Sequence, residues 1–310
     1  MVRFGWQGIE ASVPSAWELN AHRGDCRAGF ASLDDGIATR LRIRWETEGR
    51  RQASVDAALD VYLRSLRKRL GRKIEVDIIG PEFLPKRFRD DHAVAVFRWN
   101  AQQAAMGMVW RCGKQRRVGL VEILFPDGTD IQAAAQWGGN DSRPTVGQDE
   151  RTLARRILGS VDDHRADGKT LWAVYGFAFE IPDRYRLQRA DLVPGRLRFL
   201  FQGGRRAWLR VERWAAASQW MKGTPFERMP GEWLKVSRFA PREAIRQEAF
   251  ALRGHDAVRF ECSVRGTLLR EARLAGIVWL CPPEDRMYAV AAVDAPDGEL
   301  EAVAEATPCT

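Results

Sequence analysis

The stretch GMVWRCGKQRRVGLVEILFPDG, residues 107–128, and the stretch GIVWLCPPEDRMYAVAAVDAPDG, residues 276–298, follow one plan. Each opens on Gly-x-Val-Trp-x-Cys and closes on Pro-Asp-Gly. In each, an apolar run, a short polar segment (GKQRR in the first, PPEDR in the second) and another apolar run predict two antiparallel strands joined by a turn. One match can arise by chance, so the flanks decide whether a whole domain repeats.

Working outward, the flanks repeat in order. GIEASVPSAWEL from Gly8 aligns with GFAFEIPDRYRL from Gly176, placing Val13 on Ile181, Pro14 on Pro182, Trp17 on Tyr185 and Leu19 on Leu187. LRIRW from Leu41 aligns with LRVER from Leu209, and HAVAVFRW from His92 with DAVRFECS from Asp256. The small changes of offset fall in connections, where insertions are tolerated. A repeat of roughly 168 residues is too long for a solenoid and has the size of a full domain with its own core. The expected organisation is a first copy over residues 1–161, a polar linker over 162–170 and a second copy over 171–310.

Within the first copy, FASLD and ATRLRIRWE read as a hairpin about Asp35-Gly36. Leu41, Ile43 and Trp45 alternate with Arg40, Arg42 and Arg44, which predicts one buried and one solvated face. Ser54 suits an N-cap, Asp56 the first turn, and Val55, Leu59, Tyr62, Leu63, Leu66 and Leu70 make an apolar helical stripe. KIEVDIIG, HAVAVFRW, MGMVWRC and VGLVEILF follow as strands. Leu153, Ile157, Leu158 and Val161 line one face of a closing helix. The fold class is therefore α+β: two tandem copies of an antiparallel sheet with helices packed on one face. A face left free by the helices would be the place for a partner, and Trp45, Trp110, Trp214 and Trp279, among 12 tryptophans, are the candidate residues for it.

The strand that stops at proline with an aromatic three residues later (Val13-Pro14-Ser15-Ala16-Trp17 and Ile181-Pro182-Asp183-Arg184-Tyr185), the hairpin, and the closing helix ending near Ile157-Leu158-Gly159-Ser160 resemble the PsbP-like superfamily. That superfamily includes photosystem accessory proteins, a Ran-binding nuclear import factor and bacterial Eag chaperones of type VI secretion. It has no shared catalytic residues, so the resemblance implies a non-enzymatic, partner-binding role, adaptor or chaperone-like. A tandem copy departs from the usual single domain.

Chemistry is sparse by motif. The four histidines, His22, His92, His164 and His255, stand at no metal-ligand spacing, and no nucleophile elbow, phosphate loop or dinucleotide fingerprint occurs. His92 and His255 start matching strands, and Cys112 and Cys281 sit beside matching tryptophans; both pairs read as packing residues. The adjacent acids Asp34-Asp35, Asp90-Asp91 and Asp162-Asp163 lie in connections and read as solvated. No catalytic, cofactor or metal residues are expected. The glycines of residues 137–139 and 202–204 read as turns.

The net charge is +8. Residues 1–160 hold 26 Lys/Arg against 20 Asp/Glu, and residues 161–310 hold 23 against 21. The excess sits in the first half, where Arg64, Arg67, Lys68 and Arg72 cluster at the end of the helix. Cations there offset the helix dipole; as a stripe they would also suit nucleic acid or another polyanion, the alternative to a protein partner. Five scattered cysteines without a CxxC, no long apolar run and no secretory pattern make a cytoplasmic protein the expectation.

Overall fold

In a computed structural model the described residues are 1–49, 54–71, 74–101, 103–125, 148–204, 206–223, 225–235, 244–265 and 271–309. The chain divides into two compact units. Unit 1 comprises Met1–Ala166 with Ala173–Tyr175; unit 2 comprises Asp167–Trp172 with Gly176–Thr310. The closing Pro-Asp-Gly of the first stretch (126–128), the glycines of 137–139 and Arg72 fall outside the described residues.

In unit 1, β1 (Val2–Trp6) and β2 (Ile9–Val13) form a hairpin. β3 (Glu18–Gly24), β4 (Ala28–Asp34), β5 (Thr39–Thr47), helix α1 (Val55–Leu70), β6 (Glu75–Ile79), α2 (Lys86–Asp91), β7 (His92–Asn100), β8 (Ala104–Cys112), β9 (Arg117–Phe125) and α3 (Gln148–Leu158) follow. Seven strands make one antiparallel sheet in the order β3-β4-β5-β9-β8-β7-β6.

The later half of the chain runs through β10 (Lys169–Val174), β11 (Phe177–Pro182), β12 (Tyr185–Val193), β13 (Arg196–Gly203), β14 (Ala207–Ala215), α4 (Ala217–Trp220), α5 (Met229–Lys235), β15 (Arg246–Leu252), β16 (His255–Arg265), β17 (Glu271–Cys281), β18 (Arg286–Val293) and α6 (Glu299–Glu305). Its seven-stranded antiparallel sheet has the order β12-β13-β14-β18-β17-β16-β15. Strand for strand this is the order of the first sheet. The fold class is α+β, with two sheet-rich antiparallel units.

Local chemistry explains the elements. Gln7-Gly8 and Tyr175-Gly176 both hold two successive residues at positive φ, the backbone of a tight hairpin turn. Ser54 caps α1, its hydroxyl accepting from Ala57 N at 3.1 Å. Val55, Leu59, Tyr62, Leu63 and Leu66 are buried as the stripe requires, but Leu70, at the open end of the helix, is 43% exposed.

The core of unit 1 under α1 contains Phe97, Trp99, Ala105, Val109, Leu120 and Leu124, one face of β7, β8 and β9. Gly107 stands opposite Phe97, and a Cβ there would lie 2.7 Å from Phe97 Cζ, so the ring lies flat where the side chain is missing. Gly276 and Phe260 repeat that pair in unit 2. Trp233 and Leu234 of α5 cover the matching face there, with Phe260, Leu274, Val278 and Met287.

Candidate functional site

The opposite face of each sheet is not free. In unit 1 it carries Trp110, Cys112 and Arg117. Arg117 donates to Gln7 O of the β1–β2 hairpin at 3.1 Å, and Trp110 Nε1 donates to Asp163 Oδ2 beyond α3 at 2.8 Å. Trp45, Trp110, Trp214 and Trp279 are 3%, 0%, 4% and 0% exposed. The reading of these four rings as an exposed partner-binding face does not survive their burial. Trp45, Trp110 and Trp279 lie on the face away from the helices and are closed over by a second layer, whereas Trp214 lies on the other face, packed with Met229 and Trp233 of α5; period-2 alternation carries no information about either covering.

Two features of unit 1 stand out. The first is a cleft of about 610 Å³ between α1 and the sheet. α1 packs on β7 and β8 and leaves the neighbouring β9 and β5 partly uncovered. Ala58, Val61, Tyr62, Val109, Val118 and Leu120 line the cleft, with Arg44 and Glu46 exposed at its edge. Val61 is 58% exposed.

The second is a cluster of His92, Cys112, Asp163 and His164, whose donor atoms all lie within 4.8 Å of one another. His92, at the start of β7, stands directly across from Cys112, at the end of β8. Asp163 and His164 arrive from the segment after α3. His92 Nε2 and His164 Nδ1 each stand 2.8 Å from Asp163 Oδ1, and Cys112 Sγ stands 3.5 Å from His164 Nδ1. His92 Nδ1 is 2.9 Å from Phe88 O, and the Phe88 ring stacks on His92. Lys114 Nζ lies 3.1 Å from both His164 Nε2 and Asp91 Oδ1.

His92, Cys112 and Asp163 are buried, at 7%, 0% and 2% exposure. Burial opposes charge on His92, but the Asp163 carboxylate and its other hydrogen bonds outweigh it and lift the pKa to about 10. Burial likewise pushes the Asp163 carboxyl up, yet His92, His164 and Trp110 hold it down at about 2.

Unit 2 carries a counterpart: His255, Cys281 and Cys309, again with their donor atoms within 4.8 Å of one another. Cys309 Sγ stands 3.5 Å from His255 Nε2. Burial raises the Cys309 thiol to about 11, with Cys281 adding to the rise and Trp279 opposing it.

The clusters overturn two expectations. Adjacent acids in a connection were expected to be solvated, and Asp163 is among the most buried charged residues described. His92 and Cys112 were expected to be packing residues, yet His92 meets Asp163, 71 residues further along the chain, and with it His164. The two histidine rings lie 5.2 Å apart. The available signal was partial: the sequence repeat sets Cys112 on Cys281 but His92 on Asp256, one residue past His255, and only the strand register makes the two histidines equivalent. Of the basic stripe, Arg64, Arg67 and Lys68 are exposed.

No family model matches this chain. No curated protein matches it either. Among solved structures, the immunity protein TplEi of the T6SS of Pseudomonas aeruginosa is similar over 97% of this chain and 92% of its own, with 13% identity and a TM-score of 0.29. A candidate regulator of unknown function from Pseudomonas aeruginosa is similar over 43% of this chain and 86% of its own, with 16% identity and a TM-score of 0.23. At these TM-scores neither likeness fixes the fold or the function of this chain.

Proposed function

We propose that the protein is a non-catalytic binding module, adaptor or chaperone-like, that takes an apolar side chain of a protein partner into the α1 cleft of unit 1. The observation that carries this reading is the cleft itself. Its volume lies within the range of ordinary binding pockets. Its lining is apolar and its edge charged, the arrangement that marks an interaction site on a surface. The PsbP-like resemblance of the sequence points the same way. A reducing cytoplasm suits the free thiols of Cys26, Cys112, Cys262, Cys281 and Cys309. The shared strand order of the two sheets supports descent from one duplicated domain, read as copies over 1–161 and 171–310; the segment 162–170 between them carries the buried Asp163 and the start of β10.

A photo-crosslinking amino acid at position 61, introduced in the source cells, tests the reading. The expected result is one dominant cross-linked protein. Binding of that protein, once purified, should weaken at least about tenfold in both Val61→Asp and Ala58→Trp, the first placing a charge in the cleft and the second filling it. Unchanged affinity in both variants overturns the proposal. Val61 is already exposed, so its replacement leaves the fold intact.

A second reading rests on Arg64, Arg67 and Lys68. They are exposed on one side of α1, and among the described residues no ion pair engages them. That side could hold a polyanion, with phosphate contacts supplying the affinity.

A further inference from the structure

We propose that each unit holds a zinc-class divalent cation: one bound by His92, Cys112, Asp163 and His164, the other by His255, Cys281 and Cys309. Two imidazoles, a thiolate and a carboxylate form a donor set of intermediate softness, which suits tetrahedral zinc better than magnesium or calcium. In unit 1 the four donor atoms lie within 4.8 Å of one another. Two ligands of a tetrahedral zinc at about 2.0 Å stand about 3.3 Å apart. Asp163 Oδ1 must therefore draw back about 0.5 Å from the two nitrogens now 2.8 Å away, within ordinary side-chain adjustment.

The surroundings are those of a metal site. His92 Nδ1 faces a backbone carbonyl, Phe88 O, which fixes the ring and aims Nε2 at the cluster. Trp110 Nε1 donates to Oδ2 of Asp163, which leaves Oδ1 for the ion. Lys114 alone is unfavourable, since its ammonium stands against His164 Nε2. It is 62% exposed; once it moves off His164 and its ion pair with Asp91 opens, Nε2–H faces Asp91, whose Oδ2 is 4.0 Å distant. Binding requires the ligands deprotonated, so their protons go to solvent.

The repetition carries the argument further than either cluster alone. Ala257 pairs with Trp279, and His255 and Cys281 lie two residues beyond that pair on their strands, as His92 and Cys112 lie two beyond Val94 and Trp110. Cys309, after α6, stands where Asp163 stands after α3: each is reached by the tryptophan of its unit. One anionic ligand replaces another, while the bulk and polarity of the two side chains differ. Both side chains are zinc ligands, so the exchange keeps a ligand at that place. Trp279 Nε1 is buried, and a metal-bound Cys309 thiolate beside it would accept from it as Asp163 accepts from Trp110. The second site has three protein ligands and leaves its fourth position to water.

Metal analysis of the full, untagged chain, loaded with zinc and dialysed into metal-free buffer, tests the proposal. The expected load is about two ions per chain, one per cluster. His92→Gln with Cys112→Ser should leave one, and Cys281→Ser with Cys309→Ser should leave one. A variant that fails to fold does not spoil the test, because cobalt in the wild-type protein should show thiolate-to-metal charge-transfer absorption, which only cysteine ligation produces. A wild-type load of one ion or none, or a cobalt spectrum without that band, overturns the proposal and leaves the clusters as metal-free buried ion pairs.

Discussion

Glu122 shows how one residue decides the interior of unit 1. It is 2% exposed on β9, beneath α1. Tyr62 donates to it, Trp99 Nε1 donates to its Oε1 at 2.8 Å, and Arg42 approaches at 3.6 Å. Burial, with the charge and hydrogen bond of Glu122, raises the Tyr62 hydroxyl well above its usual pKa, so it remains a donor. Tyr62→Phe keeps the packing and removes one donor from a buried carboxylate. It should cost about 1–3 kcal/mol in urea unfolding, with little change in m-value. The glycine–aromatic pairs make a second prediction. Gly107→Ala and Gly276→Ala each place a methyl against a phenyl ring in a closed core, and each should cost about 1–3 kcal/mol by the same measurement. The tryptophans and histidines had the right types in the sequence, but their partners, such as Asp163 for Trp110, lie too far along the chain for spacing to reveal.

Among the elements, the β4–β5 hairpin was the most legible, because its signals are local. Asp35 accepts from Ile37 N at 3.0 Å and Ala38 N at 2.9 Å, and Gly36 takes the positive φ. The Ala38 N–H and then Arg40 hold the Asp35 carboxyl down at about 2. A depressed carboxyl stabilises the fold above its unfolded value, near pH 3.9, and loses that contribution as pH falls toward 2. An NMR titration should find the Asp35 midpoint near 2. Arg40→Ala should raise it but leave it below about 3.9, since the backbone donor remains. α1 was legible for the same reason: its cap and stripe lie within one stretch of chain. Which strands it covers was not, and the cleft exists because α1 sits on β7 and β8 rather than across the sheet.

Over the whole molecule, part of the charge excess in the first half lies on the exposed side of α1, at Arg64, Arg67 and Lys68. If that side serves only solvation, Arg64→Ala with Lys68→Ala leaves partner affinity unchanged and shifts stability by well under about 1 kcal/mol, as exposed charges usually do. We expect that outcome. Filter binding of duplex and single-stranded nucleic acid at two salt concentrations checks it. Tight, salt-sensitive binding that the double variant loses, with a salt slope lower by roughly two, would establish the polyanion reading instead. Among the described residues no helix is long and apolar enough to cross a membrane.

Sequence alone determined the α+β class, the strand alternation, the caps and turns, and the matched order of two long stretches, because each rests on residues within a few positions of one another or on direct comparison of one stretch with another. The closure of a second layer over the sheet, the cleft beside α1 and the meeting of His92 with Cys112, Asp163 and His164 belong to the tertiary structure. Pairing brings the ends of β7 and β8 together, and the turn after α3 delivers Asp163 to the same point. No local pattern encodes that convergence, since the donors come from three separate segments and only the packed sheet sets the distance between them.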